Sequence, residues 1–169
     1  SAGIINITDS YEGLEAADLR ISGGTIDIVS KDDGINAAGG TDTTTSSGRQ
    51  GDMFSTSSGT LTISGGTITV NAEGDGIDVN GDATISGGTI IVHGPASGGN
   101  GALDYDGTFE VTGGTLVAVG TSDMAMSVSG SQNSVMINLT STYTAGSKFK
   151  IVSAEGDEIM SYIAIKSFQ

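Results

Sequence analysis

Four segments of the chain carry one pattern of apolar and polar positions: LRISGGTIDI (19–28), LTISGGTITV (61–70), ATISGGTIIV (83–92) and FEVTGGTLVA (109–118). They align without gaps. In the third, Ile85, Ile90 and Val92 point one way and Thr84 and Ile91 the other, as strand alternation requires on each side of the glycine pair. Each segment predicts a strand, a Gly-Gly corner and a second strand. The glycine pairs start at Gly23, Gly65, Gly87 and Gly113, so the steps are 42, 22 and 26 residues. A unit of about 22 residues without a helical pattern is short for a strand–helix–strand crossover and fits one coil of a parallel β-helix.

Stacking the units predicts apolar columns: Ile21, Ile63, Ile85, Val111; Ile26, Ile68, Ile90, Leu116; and Ile28, Val70, Val92, Ala118. A further strand supplies Leu14, Ile35, Ile77 and Leu103. One coil buries little, whereas stacked coils bury a continuous core. Thr25, Thr67, Thr89 and Thr115 follow the glycines and predict a hydroxyl ladder. An incomplete first coil places Ile5 and Ile7 against Ile26 and Ile28. The expected class is therefore all-β, a single-stranded parallel β-helix over residues 1–127. Within it, residues 39–59 are low in complexity and read as a long flexible loop, with Arg49, Met53 and Phe54 its contact candidates. After Met126 the pattern changes to three or four alternating runs with turns at TAGS (144–147) and AEGDE (154–158). Residues 128–169 are expected to form a C-terminal β-hairpin cap that closes the edge of the last coil.

Composition then narrows the chemistry. Twenty acidic residues against six basic ones leave a net charge of −14, which argues against nucleic acid as a partner. With no cysteine there is no disulfide, thiol catalysis or thiolate metal site. No apolar run approaches the roughly 18 residues of a membrane span, so no membrane insertion is expected. The chain opens on Ser1, consistent with a signal peptide removed or left out.

The acids recur in one local setting. Aligned on the further strand, Glu12, Asp33 and Asp75 precede the apolar residue, and Glu15, Asn36, Asp78 and Asp104 follow it; Asn100 is the fourth-coil candidate for the first column. Both columns are expected on one outward flank. Coils about 4.8 Å apart would set neighbouring carboxylates to repel by about 0.9 kcal/mol in water and roughly 3.5 kcal/mol at an effective dielectric of 20. Cations are too few to compensate, with only Lys31 adjacent. A solvated acidic face is one reading; calcium is the expected counterion on the other, because it accepts six to eight oxygen ligands from carboxylates, carbonyls and water. Soft metals lack ligands, with no cysteine and only His93, which reads as a surface histidine.

The run YEGLEA…ISGGTIDIVSKDDGINAAGG, then LTISGGTITVNAEGDGIDVNGDATISGGTIIVHGP, GNGALDYDG and VTGGTLVAVG resembles the clostridial carbohydrate-binding β-helix family, over roughly residues 4–130. These are carbohydrate-binding domain-containing proteins. The resemblance implies a right-handed parallel β-helix, secreted or at the cell surface, that binds calcium at acidic clusters and plant cell-wall polysaccharide such as polygalacturonate or cellulose. Carried over onto this sequence, the candidate calcium ligands are Glu12, Glu15, Asp32, Asp33, Asn36, Asp75, Asp78 and Asp104.

Three functions compete. A non-catalytic, calcium-dependent module would bind an acidic glycan through calcium shared by protein and sugar carboxylates. A neutral polymer would want a flat aromatic platform, and the chain has no Trp, four Tyr and four Phe. Tyr11 and Tyr105, in the acidic loops, are candidates to stack on sugar rings. A pectate-type lyase would use Lys31 as base, although neighbouring acids raise a lysine pKa and work against that role. A structural or adhesive surface protein is the third. A monomer is expected.

Overall fold

The structure is a computed structural model and describes residues 3–37, 59–96 and 98–168. Most of the loop read over 39–59, including Arg49, Met53 and Phe54, lies outside the described residues. No helix occurs among those described.

Strands β1 (Ile4–Ser10), β3 (Asp18–Ser30), β5 (Thr60–Ala72), β7 (Ala83–His93) and β9 (Phe109–Val119) form one parallel sheet in that order. The short strands β2 (Leu14–Glu15), β4 (Ile35–Ala37), β6 (Ile77–Val79) and β8 (Leu103–Tyr105) form a second parallel sheet, again in chain order. The chain therefore alternates between the sheets, long strand then short strand, and each repeat stacks on the one before.

The registers place Ile21, Ile63, Ile85 and Val111 side by side, and likewise Ile26, Ile68, Ile90 and Leu116. The short sheet aligns Leu14, Ile35, Ile77 and Leu103. The middle members are fully buried between the sheets, each contributing about 1.5–3 kcal/mol relative to exposure. The columns open at the ends, where Ile5 and Ala118 are exposed.

The glycine pair does not divide two strands as expected. Each long strand runs through it as one element with a register irregularity. The apolar parity explains why an irregularity is needed. Leu61 and Ile63 face inward before the pair and Ile68 and Val70 after it. An odd spacing cannot keep one face in a strand of period two. Gly66, at φ 108°, absorbs the odd residue, and Gly24, Gly88 and Gly114 repeat the conformation. The threonines after each pair are register partners across four strands and stay exposed.

A second glycine column, Gly13, Gly34 and Gly76, fills the middle of the acid–Gly–apolar motif. A Cβ at Gly76 would overlap Val92 Cγ1 and come within 2.5 Å of the Ala102 carbonyl oxygen one repeat on. Backbone cannot yield there as a flexible side chain would. Gly76→Ala is expected to cost about 1–3 kcal/mol and lower the melting temperature by roughly 2–12 °C, read by thermal denaturation.

Beyond Met126 the expected three or four strands reduce to one antiparallel hairpin, β10 (Lys148–Val152) with β11 (Glu158–Ile163), prolonged by the Tyr143–Phe168 bridge. The TAGS turn contains Gly146 at φ 88°. The hairpin does not close the edge of β9. It seats Tyr162, Ala164 and Phe168 on Ile91, Val117 and Val119, the outer face of the long sheet. The edge itself is engaged by Ser129 and Gln132. The Ser129 amide donates to the Phe109 carbonyl, the Val111 amide to the Ser129 carbonyl, and the Gln132 amide to the Val111 carbonyl. Tyr162, Ala164 and Phe168 are buried in the contact with the outer face, and partly buried apolar residues surround them.

Candidate functional site

The acidic side chains come together where the chain enters and leaves the short sheet. Glu15, Asn36, Asp78 and Asp104 are register partners. In the preceding column the Gly13 amide donates to the Asp33 carbonyl and the Gly34 amide to that of Asp75, which stacks Glu12, Asp33 and Asp75. The Gly76 amide donates to Gly101, so Gly101 and not Asn100 continues that column, and the fourth repeat carries no acid there.

The columns are not simply outward. Asp75 is only 9% exposed, and Glu12, Asp33 and Asp78 are partly buried. Part of the reason is structural. Asp33 Oδ1 accepts the Asp75 amide at 2.7 Å, and Asp75 Oδ1 accepts the Gly101 amide at 2.5 Å. Each carboxylate thus ties its repeat to the next. Asn36 Nδ2 donates to Asp33 Oδ2 at 3.4 Å. Gly74 closes over the pair, where a Cβ would meet Asp32 Oδ1 at 2.5 Å and Asp33 Oδ1 at 2.6 Å.

Burial and mutual repulsion make ionisation costly. Desolvation, then the charges of Asp33 and Asp32, push Glu12 up to about 7. Asp78 is also raised to about 7 by desolvation, then by Asp33, Asp104, Asp75 and Asp106. Asp33 rises to about 6, chiefly by desolvation, with the Asp75 amide opposing the shift. Asp75 is raised by desolvation against the Gly101 amide. Asp106 was missed by the column alignment because it falls two residues past Asp104; its charge nonetheless reaches Asp78.

Two oxygens carry further information. Glu12 Oε2 and Asn36 Oδ1 are buried and accept no hydrogen bond. Buried acceptors are ordinarily satisfied, and two beside a carboxylate cluster suit a hard cation better than an anion or a donor-poor apolar ligand. Among the described residues, no three carboxylate or imidazole groups already converge as a finished metal centre. The candidate calcium ligands gathered around these oxygens are Asp33, Asp75 and Asp78, with Glu15, Asp32 and Asp104 beside them.

The other candidates divide. Lys31 is exposed and pairs with Asp9 at 2.9 Å, which raises its pKa, the wrong direction for a general base. Tyr105 is committed: its hydroxyl donates to the Ser127 carbonyl and its ring packs 5.5 Å from Phe109. Tyr11 remains 66% exposed beside the acids, as a sugar-stacking side chain would need. His93 is not a surface histidine. It is buried under the hairpin, its Nδ1 2.8 Å from Tyr162 Oη. Its apolar setting comes from chain after residue 126, far beyond the repeat that contains it.

No helix among the described residues is long and apolar enough to cross a membrane. No curated protein and no solved structure matches the chain. A family model described as carbohydrate-binding domain-containing protein matches residues 2–168. The chain, over nearly all its length, belongs to the family of carbohydrate-binding domain-containing proteins.

Proposed function

We propose that this protein is a non-catalytic, calcium-dependent binder of acidic plant cell-wall polysaccharide of the polygalacturonate type. Its coils are read as a right-handed single-stranded parallel β-helix, monomeric and secreted or held at the cell surface. The family supports carbohydrate binding. The observation that supports calcium is the partly buried acid cluster with orphaned oxygens on Glu12 and Asn36. At net charge −14 the protein repels a polyuronate, and a divalent ion shared between carboxylates of both reverses the sign. The lack of Trp removes the commonest platform for a neutral polymer such as cellulose. Tyr11 supplies one exposed ring at the margin of the acids. The Asp9 pair on Lys31 weighs against the lyase alternative.

Calorimetric titration of polygalacturonate into chelator-treated protein, with and without added calcium, tests the proposal. Binding is expected only with calcium. Equal binding in both places the sugar site away from the acids. An ultraviolet-absorbing unsaturated product, lost in Lys31→Ala, would replace a binding module with a lyase.

A further inference from the structure

The C-terminal hairpin is held to the long sheet by a small apolar cluster and three polar side chains. His93 ends β7 on the outer face, with Asn71 of β5 and Val119 of β9 as its register neighbours, both uncharged. Tyr162 of β11 lies against it, ring centroids 5.4 Å apart, and both residues are buried. Lys166, just past β11, reaches back so that its ammonium donates to the Ala72 carbonyl at the end of β5. Three elements of the stack and the C-terminal segment therefore meet at one histidine.

The groups that face His93 are Tyr162 and Lys166. Lys166 in turn feels Glu73, which is exposed and acts on the lysine. Burial, then the Lys166 charge, holds His93 below its ordinary value of 6.5. Burial likewise brings Lys166 down to about 8 and takes Tyr162 up to about 12. At neutral pH the pair is then a neutral imidazole and a neutral phenol. Adding a proton to the imidazole places a second cation beside Lys166 in a buried site where no carboxylate acts on it.

We infer that the His93–Tyr162 contact is an acid-sensitive latch: protonating the imidazole undocks the C-terminal hairpin from the coil stack. The sign follows from linkage. A histidine depressed in the docked state contributes docking stability that is full above 6.5 and is lost as pH falls below it. Each unit of depression corresponds to tenfold in the docking equilibrium. Undocking exposes Ile91, Val117 and Val119, an apolar strip the hairpin otherwise covers. The acid cluster titrates in a neighbouring window with the opposite sign, so the latch must be read at the hairpin itself.

His93 is the sole histidine of the chain, which makes its ring signals unambiguous in NMR. The experiment follows those signals and, by mass spectrometry, hydrogen exchange of hairpin peptides from pH 7.5 to 5, corrected for intrinsic exchange rates. The expected result is a midpoint below 6.5 and a several-fold rise in hairpin exchange that tracks it, while coil peptides do not follow. His93→Gln keeps a hydrogen-bonding side chain that does not titrate, and its hairpin exchange is expected to lose the pH dependence. Lys166→Met is expected to move the His93 midpoint upward. A midpoint at or above 6.5, or hairpin protection unchanged through the titration, overturns the latch. Should His93→Gln leave the hairpin open at every pH, the wild-type titration and Lys166→Met decide between the same two outcomes.

Discussion

Stripped of divalent ions, the protein is expected to become less stable as pH rises from about 4 to about 7, and calcium is expected to reverse that trend. Glu12 and Asp78 at about 7 and Asp33 at about 6 all lie above the values the unfolded chain would show. Between the two sets of values the folded state holds protons that the unfolded state has released. Stability therefore falls as pH rises through that window, and the loss is complete above the folded values. These carboxylates keep partial contact with water, which screens part of their mutual repulsion. A discounted loss of about 2 kcal/mol corresponds to about 4–8 °C for a chain of this size. Calcium needs the same carboxylates ionised and releases their protons on binding, so its affinity grows across the same window. At one hundred times its dissociation constant it adds about 2.7 kcal/mol. Melting curves at pH 5, 6, 7 and 8, in chelator and in calcium, should cross. Parallel curves would leave the cluster as a solvated acidic face.

Asp78→Asn should have two opposite effects. Asp78 is raised by burial and by four neighbouring aspartates, whereas Asp33 and Asp75 each hold a backbone amide of the next repeat. Removing the Asp78 charge removes repulsion without an evident loss of a tie between coils. In chelator at pH 8 the variant should be more stable than the parent by about 1 kcal/mol, after discounting for exposure. In calcium the order should invert, with affinity weakened about tenfold or more, as expected when a charged ligand becomes neutral. Calcium titration by calorimetry and paired melts read both. Asp75→Ala provides the contrast. It orphans the Gly101 amide at a cost of about 1–3 kcal/mol and should destabilise the protein with or without calcium. If Asp78→Asn lowers stability in chelator as well, the carboxylate has a structural tie of its own and the ion-binding role loses its main support.

The repeats were legible because a strand period of two, restarted after each glycine pair, encodes which side chains are inward without reference to distant residues. The predicted apolar columns are register lines in the sheets, as is the polar column Glu15–Asn36–Asp78–Asp104. The acid–Gly–apolar motif was legible for the same reason, since identical neighbours one coil away impose identical demands. Alignment alone could not tell that the glycine in it is required by Val92 and Ala102 of the next coil. Nor could it tell that Asp33 and Asp75 divide their oxygens between backbone and cluster.

The all-β class, the stacking of like on like and the gathering of acids on one flank follow from the order of residues alone. These depend on local periodicity and on contacts between copies of one unit. Tertiary structure decided the features that join unlike segments: Gly101 in place of Asn100, Tyr105 fastened to Ser127, and His93 enclosed with Tyr162 and Lys166. Gly101 takes its place through the Gly76 amide of the adjacent repeat, and the partners of Tyr105 and His93 arrive only when a non-repeating tail folds back on the stack.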